Sequence, residues 1–179
     1  NVHVGEHAVI ARPSGEPLCA EVVGFGGEEA LLMPLGDTAG VGPDSLVETT
    51  GQQPSVRCGP GLLGRVLDGL GQPMDGGPPL AGPLQPWPID CAAPHPLQRP
   101  RVEHPLSVGL RAIDGLLTIG RGQRIGLFSG SGVGKSTLLG QLARQSDAEV
   151  CVVCLVGERG REVNEFIADN LGEGLSRSV

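Results

Sequence analysis

Along the first 70 residues the apolar positions come in short bursts rich in Val and Leu, set apart by Gly, Pro and Asp clusters at 12–17 and 36–44. Residues 6–10, 18–23, 30–33, 45–49, 55–58 and 62–67 are the strands this pattern predicts. Short strands at that spacing point to a small closed or nearly closed β-barrel. From Val108 the rhythm changes. A short helix is predicted over 109–117, a strand over 123–128, and a helix over 134–145, where Leu138, Leu139 and Leu142 recur at helical spacing. Residues 150–156 form an unbroken apolar run, as expected of a parallel strand buried on both faces. Helical spacing returns over 161–171, with Val163, Phe166, Ile167 and Leu171 on one stripe. Strand–helix–strand–helix order makes an α/β unit with a parallel sheet.

Between these regions, residues 71–105 hold 10 of the 16 prolines. Proline fixes φ and lacks an N–H, so this stretch can be neither helix nor central strand. It reads as an extended connector, with Trp87 and Ile89 expected to dock on a surface. The predicted organisation is a β-barrel over 1–70, a connector over 71–105 and the first part of a nucleotide-binding domain over 106–179. Two parallel strands do not make a stable domain, so the second domain is expected to be truncated. The chain opens on Asn1 instead of Met, and residues are expected to precede it.

Composition refines this picture. Hydrophobic residues make up 39% of the chain and aromatic ones only 2%, so any core is aliphatic. Of the net −7, residues 1–94 carry 11 acidic and 3 basic side chains, a net of −8. That front half is unsuited to nucleic acid, whose phosphates demand basic groups. Five scattered cysteines (Cys19, Cys58, Cys91, Cys151, Cys154) do not make a disulfide framework and suit reduced thiols in the cytosol. Cys151 and Cys154, three apart on a strand, point to opposite faces and read as small core residues. His3, His7, His95 and His104 lack metal-ligand spacing. No apolar run approaches the roughly 20 residues of a membrane-spanning helix.

The strongest chemical signal is Ser129-Gly130-Ser131-Gly132-Val133-Gly134-Lys135-Ser136-Thr137, set between a predicted strand and a predicted helix. Glycines let successive backbone N–H groups turn toward one anion, and the helix N-terminus adds its dipole. Lys135 would reach the β- and γ-phosphates, and the Ser136 hydroxyl would coordinate Mg²⁺. The expected ligand is Mg-ATP. Ser129 stands where the general pattern has its first glycine. Lys135 is the only lysine in the chain, and the planar fork of an arginine cannot easily replace its compact charge.

Gly157-Glu158-Arg159-Gly160-Arg161-Glu162 follows the second predicted strand. Parallel strands open their carboxyl ends on one edge of the sheet, which places Glu158 toward the phosphate loop. A carboxylate there can orient a water for attack on the γ-phosphate and accept its proton, with Arg159 pairing with it or holding it. Equally, Glu158 and Glu162 can favour a helix N-terminus through its dipole. Spacing alone is compatible with either role.

Residues 63–77 (LGRVLDGLGQPMDGG), 105–139 (PLSVGLRAIDGLLTIGRGQRIGLFSGSGVGKSTLL) and 155–167 (LVGERGREVNEFI) together resemble the ATPases of type III protein secretion, flagellar and injectisome. These are relatives of the rotary ATP synthase catalytic subunits. The resemblance implies an N-terminal β-barrel, a RecA-like P-loop ATPase domain and a further helical domain. It also implies a cytoplasmic homohexamer peripheral to the inner-membrane export gate. Its partners would be stalk and stator proteins and chaperone–cargo complexes. It makes Glu158 the catalytic glutamate and Arg159 its neighbouring arginine, beside Lys135 and Ser136. The later parts of such a domain, including a Walker B aspartate and an arginine finger, have no counterpart in these residues, so the isolated chain is expected to be inactive. Residues 75–80 (DGGPPL) tilt the resemblance toward the injectisome branch. The alternatives are a rotary ATP synthase subunit and a non-hydrolysing assembly or regulatory module.

Overall fold

The computed structural model describes residues 2–13, 15–130 and 132–179. The chain divides into two compact units, Asn1–Cys58 with Gln85–Ala93, and Gly59–Leu84 with Pro94–Val179.

In the first unit, β1 (His7–Ile10), β2 (Leu18–Gly26), β3 (Glu29–Pro34) and β4 (Val47–Thr49) form an antiparallel sheet in the order β3–β2–β1–β4. Side chains alternate between faces along a strand. Thus Ala8 and Ile10 of β1, and Leu18, Ala20 and Val22 of β2, all turn inward and are buried. The register sets Ala8 opposite Ala20 and Ile10 opposite Leu18, with Leu32 packed against them. A bulge at Val22–Gly24 leaves Val23 unpaired and half exposed. Ahead of β1, the buried Glu6 carboxylate accepts hydrogen bonds from the N–H groups of His3 (3.0 Å) and Gly51 (2.8 Å). These bonds hold its pKa below the usual carboxylate range.

A separate ladder pairs β5 (Ser55–Cys58) with β6 (Gln85–Pro88). The predicted connector is therefore not a single wrapping segment, because part of it completes a strand pair of the first unit. Two prolines are compatible with β6 because it is an edge strand. Its hold is through backbone hydrogen bonds, continued by Ile89 N–H to Pro54 carbonyl at 3.0 Å. The docking expected of Trp87 and Ile89 side chains is not found, as they are 58% and 65% exposed.

The predicted strand over 62–67 is also corrected. Pro60–Leu62 makes a 3₁₀ turn, Gly64 takes a left-handed φ of 79°, and Leu67 bridges Pro73 alone. Asp75 organises this loop instead. Its carboxylate takes a bidentate pair from Arg65 at 2.7 and 2.8 Å, and N–H groups from Val66 and Gly77.

Elsewhere in the second unit, β7 (Pro105–Leu106) pairs with β8 (Ile119–Gly120), bracketing α1 (Arg111–Leu116). The phosphate-loop sequence leads into α2 (Lys135–Gln145). The last predicted helix starts as α3 (Gly160–Glu165), then widens to a π turn over Phe166–Leu171 and tightens to 3₁₀ over Gly172–Arg177. A π turn stacks residues five apart, which lets Phe166 and Leu171 share the buried face. Gly140 is buried on α2 against this turn, where a Cβ would run into Asn170.

The two predicted parallel strands are extended segments without a ladder to each other. Residues 123–128 are largely exposed. Residues 150–156 alternate, with Cys151, Val153 and Leu155 half-buried and Val152, Cys154 and Val156 exposed. They are covered on one face and not on both, because a parallel strand gains its second cover only from neighbours that arrive through long crossovers. Parallel pairing among the described residues begins where Cys151 meets Ser178. No helix among the described residues is long and apolar enough to cross a membrane.

Candidate nucleotide site

Two left-handed glycines, Gly132 (φ 76°) and Gly134 (φ 90°), turn the chain into α2. Only glycine adopts such angles without strain. Gly134 is the N-cap of α2 and supplies no side-chain cap, so the first N–H groups of the helix stay free for an anion. Gly130, Gly132 and Gly134 each open onto empty space on the Cβ side. Lys135 is the first helical residue, followed by Ser136 and Thr137 in the first turn, all exposed like Val133 and Ser129. Ser131, also named by the sequence as part of this loop, lies outside the described residues.

Lys135 and Glu158 line one cleft of about 390 Å³, whose apolar wall includes Leu139 and Leu155, with Cys154 beside them. Glu158 comes at the end of the extended 150–156 segment, before Arg159, the N-cap of α3. Glu162 sits in the first turn of α3, where the helix dipole favours negative charge, and Glu158 lines the cleft. Arg159 is not paired with Glu158. It is 83% exposed, with its guanidinium 3.9 Å from Glu162. Cys151 and Cys154 are free thiols, and Cys151 donates to the Ala143 carbonyl at 3.2 Å.

Sequence reasoning missed two arginines behind this site. Arg177 donates to the carbonyls of Ala143 (2.8 Å), Arg144 (3.1 Å), Ser146 (2.8 Å) and Ala148 (2.7 Å), which end α2 and begin the next segment. Arg144, near the end of α2, donates in turn to the carbonyls of Asp169 and Asn170 in the π turn. These contacts join residues 25 to 34 positions apart, beyond any local motif.

The model of the ATP synthase alpha/beta family nucleotide-binding domain matches residues 109–179, and that of the family's beta-barrel domain matches residues 1–51. The chain is 52% identical to the flagellum-specific ATP synthase of Bacillus subtilis (strain 168), over 93% of this chain and 38% of that protein. It is 49% identical to the type 3 secretion system ATPase of Xanthomonas euvesicatoria, over 99% of this chain and 40% of that protein. Among solved structures, the assembled ATPase EscN of the enteropathogenic E. coli type III secretion system superposes with a TM-score of 0.86 at 40% identity, covering 100% of this chain and 43% of that one. EscN in complex with its central stalk EscO gives the same TM-score and identity. The chain thus spans about two-fifths of the length of the relatives it matches.

Proposed function

The chain belongs to the ATP synthase alpha/beta family, with its β-barrel and nucleotide-binding domains both represented, and we propose on that premise that it is the nucleotide-handling part of an ATPase driving type III protein secretion. The observation that carries this reading is Lys135 and Glu158 lining one cleft. The free amides at the start of α2 and the ammonium of Lys135 would hold the triphosphate of ATP, which such positive groups stabilise most as charge shifts during transfer. The donor set also suits Mg²⁺: the Ser136 hydroxyl would hold it, and when bound it neutralises phosphate charge. Glu158 orients the attacking water and accepts its proton, and Arg159 adds positive charge next to it. EscN, which assembles and binds a central stalk, is the pattern for the whole protein: a homohexamer in the cytoplasm, peripheral to an inner-membrane export gate, serving stator proteins and chaperone–cargo complexes.

Two variants of the full-length protein test this. Lys135→Ala is expected to abolish ATP binding. Glu158→Gln, which keeps the shape and loses the base, is expected to bind ATP and hydrolyse it about 10²–10⁴-fold more slowly. Wild-type binding and turnover in the first, or a wild-type rate in the second, rejects the assignment.

A further inference from the structure

The last turn of an α-helix leaves four carbonyls without intrahelical donors. At the end of α2, Arg177 meets part of this need from 29 to 34 residues away: its guanidinium donates to the carbonyls of Ala143 and Arg144 in the last turn, of Ser146 at the C-cap and of Ala148 just beyond. The backbone of Arg177 is committed as well: its carbonyl accepts the Cys151 N–H at 3.0 Å. Next to it, Val179 N–H donates to the Cys151 carbonyl (3.0 Å) and Val153 N–H to the Val179 carbonyl (2.9 Å). One residue therefore ties the far end of α2 to the near end of the 150–156 segment. The other ends of these same two elements carry Lys135 and Glu158. Arg144 reinforces the tie by capping the π turn that continues α3, and Gly140 allows the close approach of α2 to that turn.

We infer that Arg177 is a positioning residue for the phosphate site, setting the separation of Lys135 and Glu158 from the opposite end of their two supports. This rests on the reading of Lys135 and Glu158 as phosphate ligand and base. Geometry at a reacting centre is steeply rewarded, and a displacement of about 1 Å costs about 10²-fold in rate. A lysine at this position keeps the charge and the aliphatic stem but offers a single point donor in place of a fork. It can hold one or two of the four carbonyls, so the fold survives while the spacing loosens.

The test is a double-mutant cycle in the full-length protein, with rates normalised to folded sites. Arg177→Lys is expected to lower kcat by about tenfold and leave the KM for ATP within about threefold of wild type. Combined with Glu158→Gln, it is expected to slow the residual rate by no more than about twofold, because the spacing it sets no longer serves a base. An unchanged kcat in Arg177→Lys overturns the inference. So does a loss that multiplies in full on the Glu158→Gln background, which is the signature of a purely structural residue. Lys135→Ala, run beside them, separates the two failures. If it leaves turnover intact, the site itself is misassigned. If it abolishes turnover while Arg177→Lys has no effect, only the positioning role is lost.

Discussion

In the first unit β1 and β2 are neighbours both in sequence and in space, and a short connection suffices to set Ala8 on Ala20 and Ile10 on Leu18. In the second unit the runs 123–128 and 150–156 are as aliphatic but find no ladder with each other, and Phe128, Val152 and Val156 face outward. The difference is one of topology more than of composition. Antiparallel strands satisfy backbone and side chains within a hairpin, whereas a parallel strand waits for partners delivered by crossovers of a dozen or more residues. What holds the second unit together is helical: α2 against the π turn, closed by Arg144 and Arg177.

The largest expected effect separates the two backbones directly. Amides of Ala20 and Val22 are expected to exchange with solvent at least about 100-fold more slowly than those of 123–128, since exchange tracks local opening free energy. Equal rates, measured by mass spectrometry on residues 1–179, would abolish the contrast. Next comes a pair of truncations. Val22→Ala removes fully buried methyl groups and is expected to cost about 2 kcal/mol in urea unfolding. Val152→Ala, at a position 79% exposed, is expected to cost less than about 0.5 kcal/mol. A reversal of that order would mean that Val152 is covered in solution.

The smallest effect is electrostatic and sharpens the comparison by pH. Asp75 in the second unit is held well below the usual carboxylate range, first by Arg65 and then by the Gly77 and Val66 N–H groups. Glu6 in the first is lowered by the N–H groups of His3 and Gly51. A depressed folded pKa gives stability that is present above the unfolded value, about 3.9 for Asp and 4.3 for Glu, and lost as pH falls below it. Both units are therefore expected to melt earlier as pH drops from about 5 to 3. Trp87 fluorescence reports the first unit and helical circular dichroism the second. Asp75→Asn should flatten only the second trace and Glu6→Gln only the first. Parallel traces for wild type and variant would show that neither carboxylate is held.

The glycine turn into α2 was legible because its signal is local: glycines at fixed offsets followed by a helix start. The stripe of Val163, Phe166, Ile167 and Leu171 was also legible, although its π geometry was not, since spacings of four and five blur in a short run. Residues 62–67 misled because Leu62, Leu63, Val66 and Leu67 are apolar enough for a strand, while the left-handed Gly64 and the carboxylate of Asp75, nine and ten residues from its partners, bend them into a loop. β6 was hidden by its prolines, and the arginine clamps by distance along the chain.

Those prolines carry one more consequence. Alternate residues of a strand direct their backbone groups to opposite edges. Ile89 N–H turns toward the β5 side, where it donates to Pro54, and Trp87 and Gln85 share its parity. Pro86 and Pro88 therefore occupy the outward-facing positions, where neither has an N–H to offer. A foreign strand arriving at this rim would find acceptors without donors and could not zip on. A rim unable to template an extended chain guards against edge-to-edge aggregation.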